Sequence, residues 1–458
     1  MCRFLLCAFC FLLTASCATY NQSIHEYYEV LQQENYQQAY KKLDHNRLLK
    51  KKRNQLLLLL EKGKMAHMIG DYEASNKYLN EADYFFEDAR TSAGDVVLGN
   101  LLNPMMQTYK GESFEKFLLH YYKALNYLYL GNTQEAQVEA RRITLSNYSQ
   151  DDRSSKYEGD AFGMILQGII FEKTGDINNA FVAYRNAADL FIKNNSEYYG
   201  VRIPDQLKHD VLRTAHLNGF GTELSHYETA FSMRFDPAEK HQGGELILFW
   251  ENGRAPIKVE ENIFFSLLKD GSGGFYFADQ NGLFNIPFDH SHSFDHKDAG
   301  LADLSMLRLA FPRYEEQPLR YRNASVEIDN QTFKFEEAED VNTLARQTLR
   351  DRFLREAGKA LTRMAIKKIS EQALKPKQDT SGNKHLQEAL YIGLQVFNAA
   401  SEKADTRHWQ SLPREIHYSR VPLRRGTNKV EVRVEGNVYK TLELEGNGNM
   451  YIRNICTF

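Results

Sequence analysis

The densest chemistry in this 458-residue chain is Asp289-His-Ser-His-Ser-Phe-Asp-His296, three histidines and two aspartates within eight positions. Imidazole and carboxylate at that density could ligate zinc or nickel. The stretch has no HExxH pattern, and the serines and phenylalanine between its ligands suit a solvated loop, so no bound metal is expected. Asp270-Gly-Ser272-Gly-Gly274 holds a serine among glycines. Its Asp precedes the first Gly, an order that does not reproduce the backbone of an oxyanion hole, and a hairpin turn is the plainer reading. No Walker A loop, no GxGxxG after a strand and no GxSxG elbow occurs. The expectation is therefore no catalytic residue, no cofactor and no enzyme. A third constellation is Asp405, Arg407 and Trp409. A helix stopping near Asp405 would let Arg407 pair with it. Trp409 would then pack between the last helix and the terminal sheet, held by the turn at Pro413. That is a structural joint first and a ligand site second.

Such residues need elements to place them. Residues 20–235 are rich in Leu, Ala, Tyr, Glu and Lys, with Pro104 the single proline before Pro204. Three segments share one layout: Gly63…Gly70-Asp71…Leu79…Ala82, Ala124…Gly131-Asn132…Ala136…Ala140, and Gly168…Gly175-Asp176…Ala180…Ala187. Each resembles the tetratricopeptide repeat, a helix–turn–helix in which small residues allow close crossing. Gly70, Gly131 and Gly175 would end the first helix in the left-handed conformation, and Asp71, Asn132 and Asp176 would cap the second. The turn glycines lie 61 and 44 residues apart, against about 34 in the family, so insertions or extra helices such as Val96–Gln107 are expected. Lys50–Arg53 precedes five leucines, Leu56–Leu60. It reads as the solvated side of an amphipathic helix over Asn46–Leu60, with contact to anionic head groups as the second reading.

At Gly243 the pattern changes. Glu245–Trp250 is strand-like, turn pairs follow at Asn252-Gly253 and Asn281-Gly282, and Asp329-Asn330 suits a two-residue hairpin loop. Helical periodicity returns from about Asp340 through Ile369 and again over Leu386–Lys403. Ile416–Val421, Val430–Val434, Val438–Leu444 and Met450–Ile455 then alternate as strands. The expected class is α+β. A tetratricopeptide-like helical domain (17–240) precedes an antiparallel β-domain (243–337), a helical segment (338–404) and a C-terminal β-sandwich-like module (405–458).

Composition sets the compartment. Lys plus Arg (57) against Asp plus Glu (60) leaves −3, so no global basic field recruits nucleic acid. Mean hydropathy of −0.54 excludes a multi-pass membrane protein. The first 17 residues, MCRFLLCAFCFLLTASC, combine Arg3, an apolar stretch Phe4–Leu13 and small residues before Cys17. That is secretory-signal anatomy. The L-T-A-S-C segment resembles a bacterial lipobox, which implies removal of residues 1–16, acylation of Cys17 and, with Ala18 next, sorting to the outer membrane. Cys17 and Cys456 are then the only cysteines of the mature chain, and no disulfide framework is expected.

Two further stretches, Glu245–Lys258 and Ala404-Asp-Thr-Arg-His-Trp-Gln-Ser-Leu-Pro413 with Arg420-Val-Pro-Leu423, look like signatures of a bacterial family. That family comprises envelope lipoproteins with tetratricopeptide-type helices, often encoded beside lipoprotein activators of penicillin-binding proteins. The resemblance implies a periplasm-facing scaffold that binds envelope proteins or peptides, carries no catalytic residues and works in the setting of peptidoglycan synthesis. The rival expectation is a glycan-binding outer-membrane lipoprotein. It has to make do with two tryptophans, although 26 tyrosines are available.

Overall fold

A computed structural model describes residues 20–88, 105, 107–148, 159–237, 242–269, 274–288, 306–373 and 403–458. Cys17, Asp270–Ser272, the Asp289–His296 stretch, most of Val96–Gln107 and residues 386–402 lie outside the described residues. The chain is α+β: a helical array of tetratricopeptide-like pairs, then several sheets and one long helix.

The pairs are α1 (Tyr20–Gln32) with α2 (Tyr36–His45), α3 (Gln55–Met68) with α4 (Tyr72–Asp88), α5 (Ser113–Tyr129) with α6 (Thr133–Tyr148), α7 (Ala161–Lys173) with α8 (Ile177–Lys193), and α9 (Asp205–Leu217) with α10 (Gly221–Phe231). The middle three carry the glycine turns read from the sequence, and the outer two were not legible there. Close crossing explains the small residue seven positions before two of the turns. A Cβ at Gly63 would lie 2.5 Å from Leu79, and one at Gly168 would lie 2.5 Å from Tyr184.

Helices α3, α5 and α7 are buried on nearly every side, Leu56–Leu60 included. That corrects the amphipathic reading of Asn46–Leu60. Lys52–Asn54 forms a 3-10 turn, α3 starts only at Gln55, and its leucines have no solvent face. A helix apolar all round must be covered all round. One side meets the second helices of the pairs, and the other meets a sheet from the C-terminal half.

Between α8 and α9, β1 (Glu197–Tyr198) and β2 (Val201–Arg202) form a short antiparallel pair. The sheet against the helices has the order β10 (Glu336–Asp340), β11 (Glu415–Pro422), β3 (Glu245–Asn252), β14 (Met450–Thr457). β3 runs antiparallel to β11 and parallel to β14, with Ile247 opposite both Arg420 and Ile452. A second sheet, β13 (Asn437–Gly446), β12 (Gly426–Val434), β8 (Ala324–Ile328), β9 (Gln331–Lys334), covers its far face. Leu246, Leu248 and Trp250 point into that sandwich with Val326, Val430 and Val432, while Ile247 and Phe249 point toward the helices. The strands of 243–337 and 405–458 are thus interleaved in shared sheets, where the sequence suggested two self-contained modules. The reason is local: β3 is apolar on both faces, as a doubly covered strand must be, and such a run carries no record of its partner. Asp329 and Asn330 do form the two-residue hairpin between β8 and β9, both with positive φ.

A third, antiparallel sheet, β6 (Asn285–Phe288), β5 (Phe275–Asp279), β4 (Ile257–Lys269), β7 (Leu307–Glu315), packs on α11 (Val341–Ala373). Phe353 of α11 meets Phe284 and Phe311 with ring centroids 4.6 and 4.7 Å away. Among the described residues no helix is long and apolar enough to cross a membrane.

Candidate functional site

The predicted turn residues shape the array and converge on nothing. Gly70, Gly131 and Gly175 have φ of +83°, +81° and +81°, with open space where a Cβ would stand. Asp71 Oδ1 accepts the Ala74 N–H at 3.0 Å, and Asp176 Oδ1 accepts that of Asn179 at 3.2 Å. At Asn132 the main-chain carbonyl receives the Ala136 N–H.

Asp405, Arg407 and Trp409 come together at a buried joint. The Asp405 carboxylate accepts from Arg407 Nε at 2.8 Å and Nη2 at 2.6 Å, and Nη1 reaches Asn54 and the carbonyl of Gln107. The Arg407 guanidinium also lies over the Tyr109 ring. Trp409 is fully buried. Its N–H donates to Glu115 at 2.6 Å, its indole N–H to Ser411, and its ring packs against Tyr122. It therefore packs on α5, a different place from the expected gap beside the last helix, because the buried Glu115 carboxylate at the start of α5 captures its main-chain N–H.

Two carboxyls at this joint are driven apart. Burial, then the neighbouring Glu112 charge, raises Glu115 to about 7. Glu112 is also buried, but Arg352 and Lys258 outweigh that and hold it at about 2. Such divergence suits acid–base pairs. Here, however, Glu115 already accepts from Tyr109, Trp409 and the Glu112 N–H, and Glu112 from Lys258 and Arg352. Their lone pairs tie α5, β4, α11 and the 405–411 segment together.

The centre between helices and sheet is also polar, and no sequence motif marks it. Glu251 of β3 pairs with Lys64 of α3, both fully buried. It also accepts from Tyr121 at 3.1 Å, Tyr122 at 2.6 Å and Asn454 at 2.6 Å. Burial alone would raise this carboxyl; the Lys64 charge reverses that and keeps it below its ordinary range. His67 is lowered to about 4, by burial first and the Lys64 charge second. Its Nδ1 meets Asn126 Oδ1 at 2.6 Å and its Nε2 meets Asn454 Nδ2 at 3.0 Å, which fits the neutral Nδ1–H tautomer. The legible signal was a Glu ending an apolar run and a Lys and His inside a leucine helix.

Asp83, His120 and Glu139 bring three potential metal-ligating atoms within 4.8 Å of one another. Lys123 stands between the carboxylates, 3.0 Å from each, and Arg142 is 2.7 Å from Asp83. Two carboxylates meet two cations, so the cluster is neutral by itself and a divalent ion would leave it with excess positive charge.

Beside the Lys64–Glu251 centre opens a cavity of about 390 Å³. Tyr36, Tyr72, Tyr129 and Tyr439 wall it, with His67, Cys456, Glu34 and Lys440 among its other residues. Tyr72 and Tyr129 stack, with centroids 4.3 Å apart and planes 4° from parallel. Cys456 is a free, buried thiol whose pKa burial raises.

No family model and no curated protein matches the chain. Among solved structures it is similar to nearly identical TPR-like repeats of a Podosopora anserina protein named for kinesin light chain, at 13% identity and TM-score 0.32, over 46% of this chain and 92% of that one. It is also similar to MamA, at 14% identity and TM-score 0.27, over 44% of this chain and 91% of that one. Likeness at this level carries no argument about activity or partners.

Proposed function

We propose that the protein is a lipid-anchored scaffold of the bacterial envelope that binds protein partners, held at the outer membrane through Cys17 and facing the periplasm. One observation carries the non-catalytic part. At the Glu112–Glu115 joint, the Lys64–Glu251 centre and the Asp83–Lys123 cluster, buried charge is matched by charge and hydrogen bonds inside the protein. These groups hold layers together. Solenoids usually bind along their concave face, but here α3, α5 and α7 are covered by the protein's own sheet, so partners must use other surfaces. The glycan reading loses its tryptophan platform, since Trp250 and Trp409 are both buried. The anchor would be short. Tyr20 is buried and donates to the His408 carbonyl, and three residues from Cys17 span at most about 10 Å. The family resemblance favours peptidoglycan synthesis as the setting.

The test is twofold. Cys17→Ser should move the protein from the membrane to the soluble fraction, and equal retention would overturn the anchor. In vivo crosslinking of the acylated protein, read by mass spectrometry, should recover the same envelope proteins repeatedly, and consistent failure would overturn the scaffold.

A further inference from the structure

The tyrosine-walled cavity lies along the edge of β14 that has no strand neighbour among the described residues. The carbonyls of Asn449 and Thr457 accept from the two ends of β3, so the alternate residues Met450, Ile452, Asn454 and Cys456 turn their main-chain groups outward. That edge is already covered by side chains. Asn454 N–H donates to the Tyr129 hydroxyl at 3.1 Å, the Tyr439 hydroxyl donates to the Cys456 carbonyl at 2.9 Å, and Lys173 donates to the Met450 carbonyl at 2.8 Å. Addition of a partner strand is thereby blocked. What remains is a walled space that a partner's side chains can enter.

Three cations and one carboxylate, Glu34, set its electrostatics. Lys440 lines the cavity, Arg453 lies over the Tyr129 ring at 5.0 Å, and Lys173 stands at the near end of β14. Among the described residues none of these three cations has a carboxylate within 4 Å, in contrast to the matched clusters elsewhere. They also act on one another: Lys173 and Lys440 are held below the ordinary lysine range, by loss of water first and by the Arg453 charge second. Among the described residues, two buried polar atoms in the same space, Glu34 Oε1 and the Tyr36 hydroxyl, have no hydrogen-bond partner. Glu34 accepts the Tyr439 hydroxyl on its other oxygen.

We infer that this cavity seats an acidic segment of a protein partner, with its carboxylates on Lys440, Arg453 and Lys173 and one of its N–H groups on Glu34. A peptide supplies both the anion the cations lack and the donor Glu34 lacks; a bare carboxylate supplies only the first. The tyrosine faces supply stacking area for the apolar atoms between. This inference rests on the partner-binding reading and names where such a partner would be held.

The experiment pans a random 12-residue peptide phage library over the acylated full-length protein in detergent micelles. Lys440→Gln and Arg453→Gln serve as comparison proteins, each checked by circular dichroism, and Lys429→Gln, in β12, as a distant control. The expected result is enrichment of peptides with excess Asp and Glu. Their affinity should fall at least tenfold in either cavity variant and stay unchanged in Lys429→Gln. No enrichment, enrichment without acidic excess, or equal binding to the variants would overturn it. So would displacement of the peptide by free glutamate or phosphate at equal concentration, which would make this a small-anion site. Envelope crosslinking separates the two claims. Partners captured equally by wild type and cavity variants sink the cavity assignment and leave the scaffold standing, whereas capture by neither sinks both.

Discussion

Glu251 and Lys64 bond to each other in a place from which water is excluded, and the cost of separating them follows from that. Removing one partner leaves a buried charge uncompensated, so Glu251→Ala or Lys64→Ala should each lower stability by about 3–5 kcal/mol. Replacing both by Met should recover much of that loss, because the pair's net value is small next to the cost of orphaning either member. Urea unfolding of the two single variants and the double checks this, and additive losses would count against it. His67 gives the same centre a pH dependence. Its pKa is about 4 when folded, against 6.5 ordinarily. The unfolded chain therefore binds more protons between those values, and this contribution to stability is present above pH 6.5 and lost as pH falls toward 4. The slope of unfolding free energy against pH over that window should flatten in His67→Gln. Glu115 acts oppositely, since its folded pKa of about 7 exceeds the ordinary value and favours the fold at low pH, so the difference between variant and wild type is the quantity to measure. At the joint, Trp409→Ala removes a fully buried indole and should cost about 3–5 kcal/mol in the same assay.

Among elements, the glycines separate two roles that the sequence presents alike. Gly175 turns the chain with φ of +81° and open space around it, so Gly175→Ala should cost about 1–2 kcal/mol through backbone conformation alone. Gly168 lies inside α7 against Tyr184. A valine there has to displace a buried ring, and should cost upward of about 1–3 kcal/mol even though it suits a helix better than glycine does. Thermal melting that ranks the turn variant as the worse of the two would refute this packing. These glycines also show what could be read beforehand. Helical turns advertise themselves locally, through a left-handed Gly and a capping Asp or Asn, and the three middle pairs were visible for that reason. The first pair turns through Glu34, with φ of +58°, and Asn35, and the last caps α10 with Phe220, so neither matched the pattern. Strand pairing leaves no such local mark: ELILFW announces burial on both faces, and nothing in it says that Arg420 and Ile452 lie alongside. The Asp405–Arg407 pairing was legible because it spans two residues. Trp409 meeting Glu115, and Lys64 meeting Glu251, span 294 and 187 positions, and only the folded chain brings them together.

At the scale of the whole molecule, the C-terminal half completes the helical half. Arg420 of β11 bonds Glu172 of α7 at 2.8 Å and also pairs with Asp210 of α9, Lys173 reaches the Met450 carbonyl, and Phe249 packs edge-on against Tyr121 and Phe162. A chain ending at residue 404 would lose β11 to β14 and the Trp409 segment. Its central sheet would keep only β3 and β10, which are not neighbours in the order and have no β11 between them to bond. The inner side of α3, α5 and α7 would then face water with leucine and phenylalanine, and Glu172 would lose its Arg420 partner. An independent helical domain would keep a cooperative melting transition of its own after that truncation. The interleaved arrangement requires the opposite outcome: helical far-ultraviolet signal retained, near-ultraviolet signal lost, and no cooperative transition. Because the sheet covers the inner side of α3, α5 and α7, restoring the missing strands as a separate chain should recover the transition, whereas added salt or osmolyte should not rebuild the tertiary signal. A truncated protein that melts sharply would mean that the array stands alone, and the inner side of α3, α5 and α7 would then be open to partners.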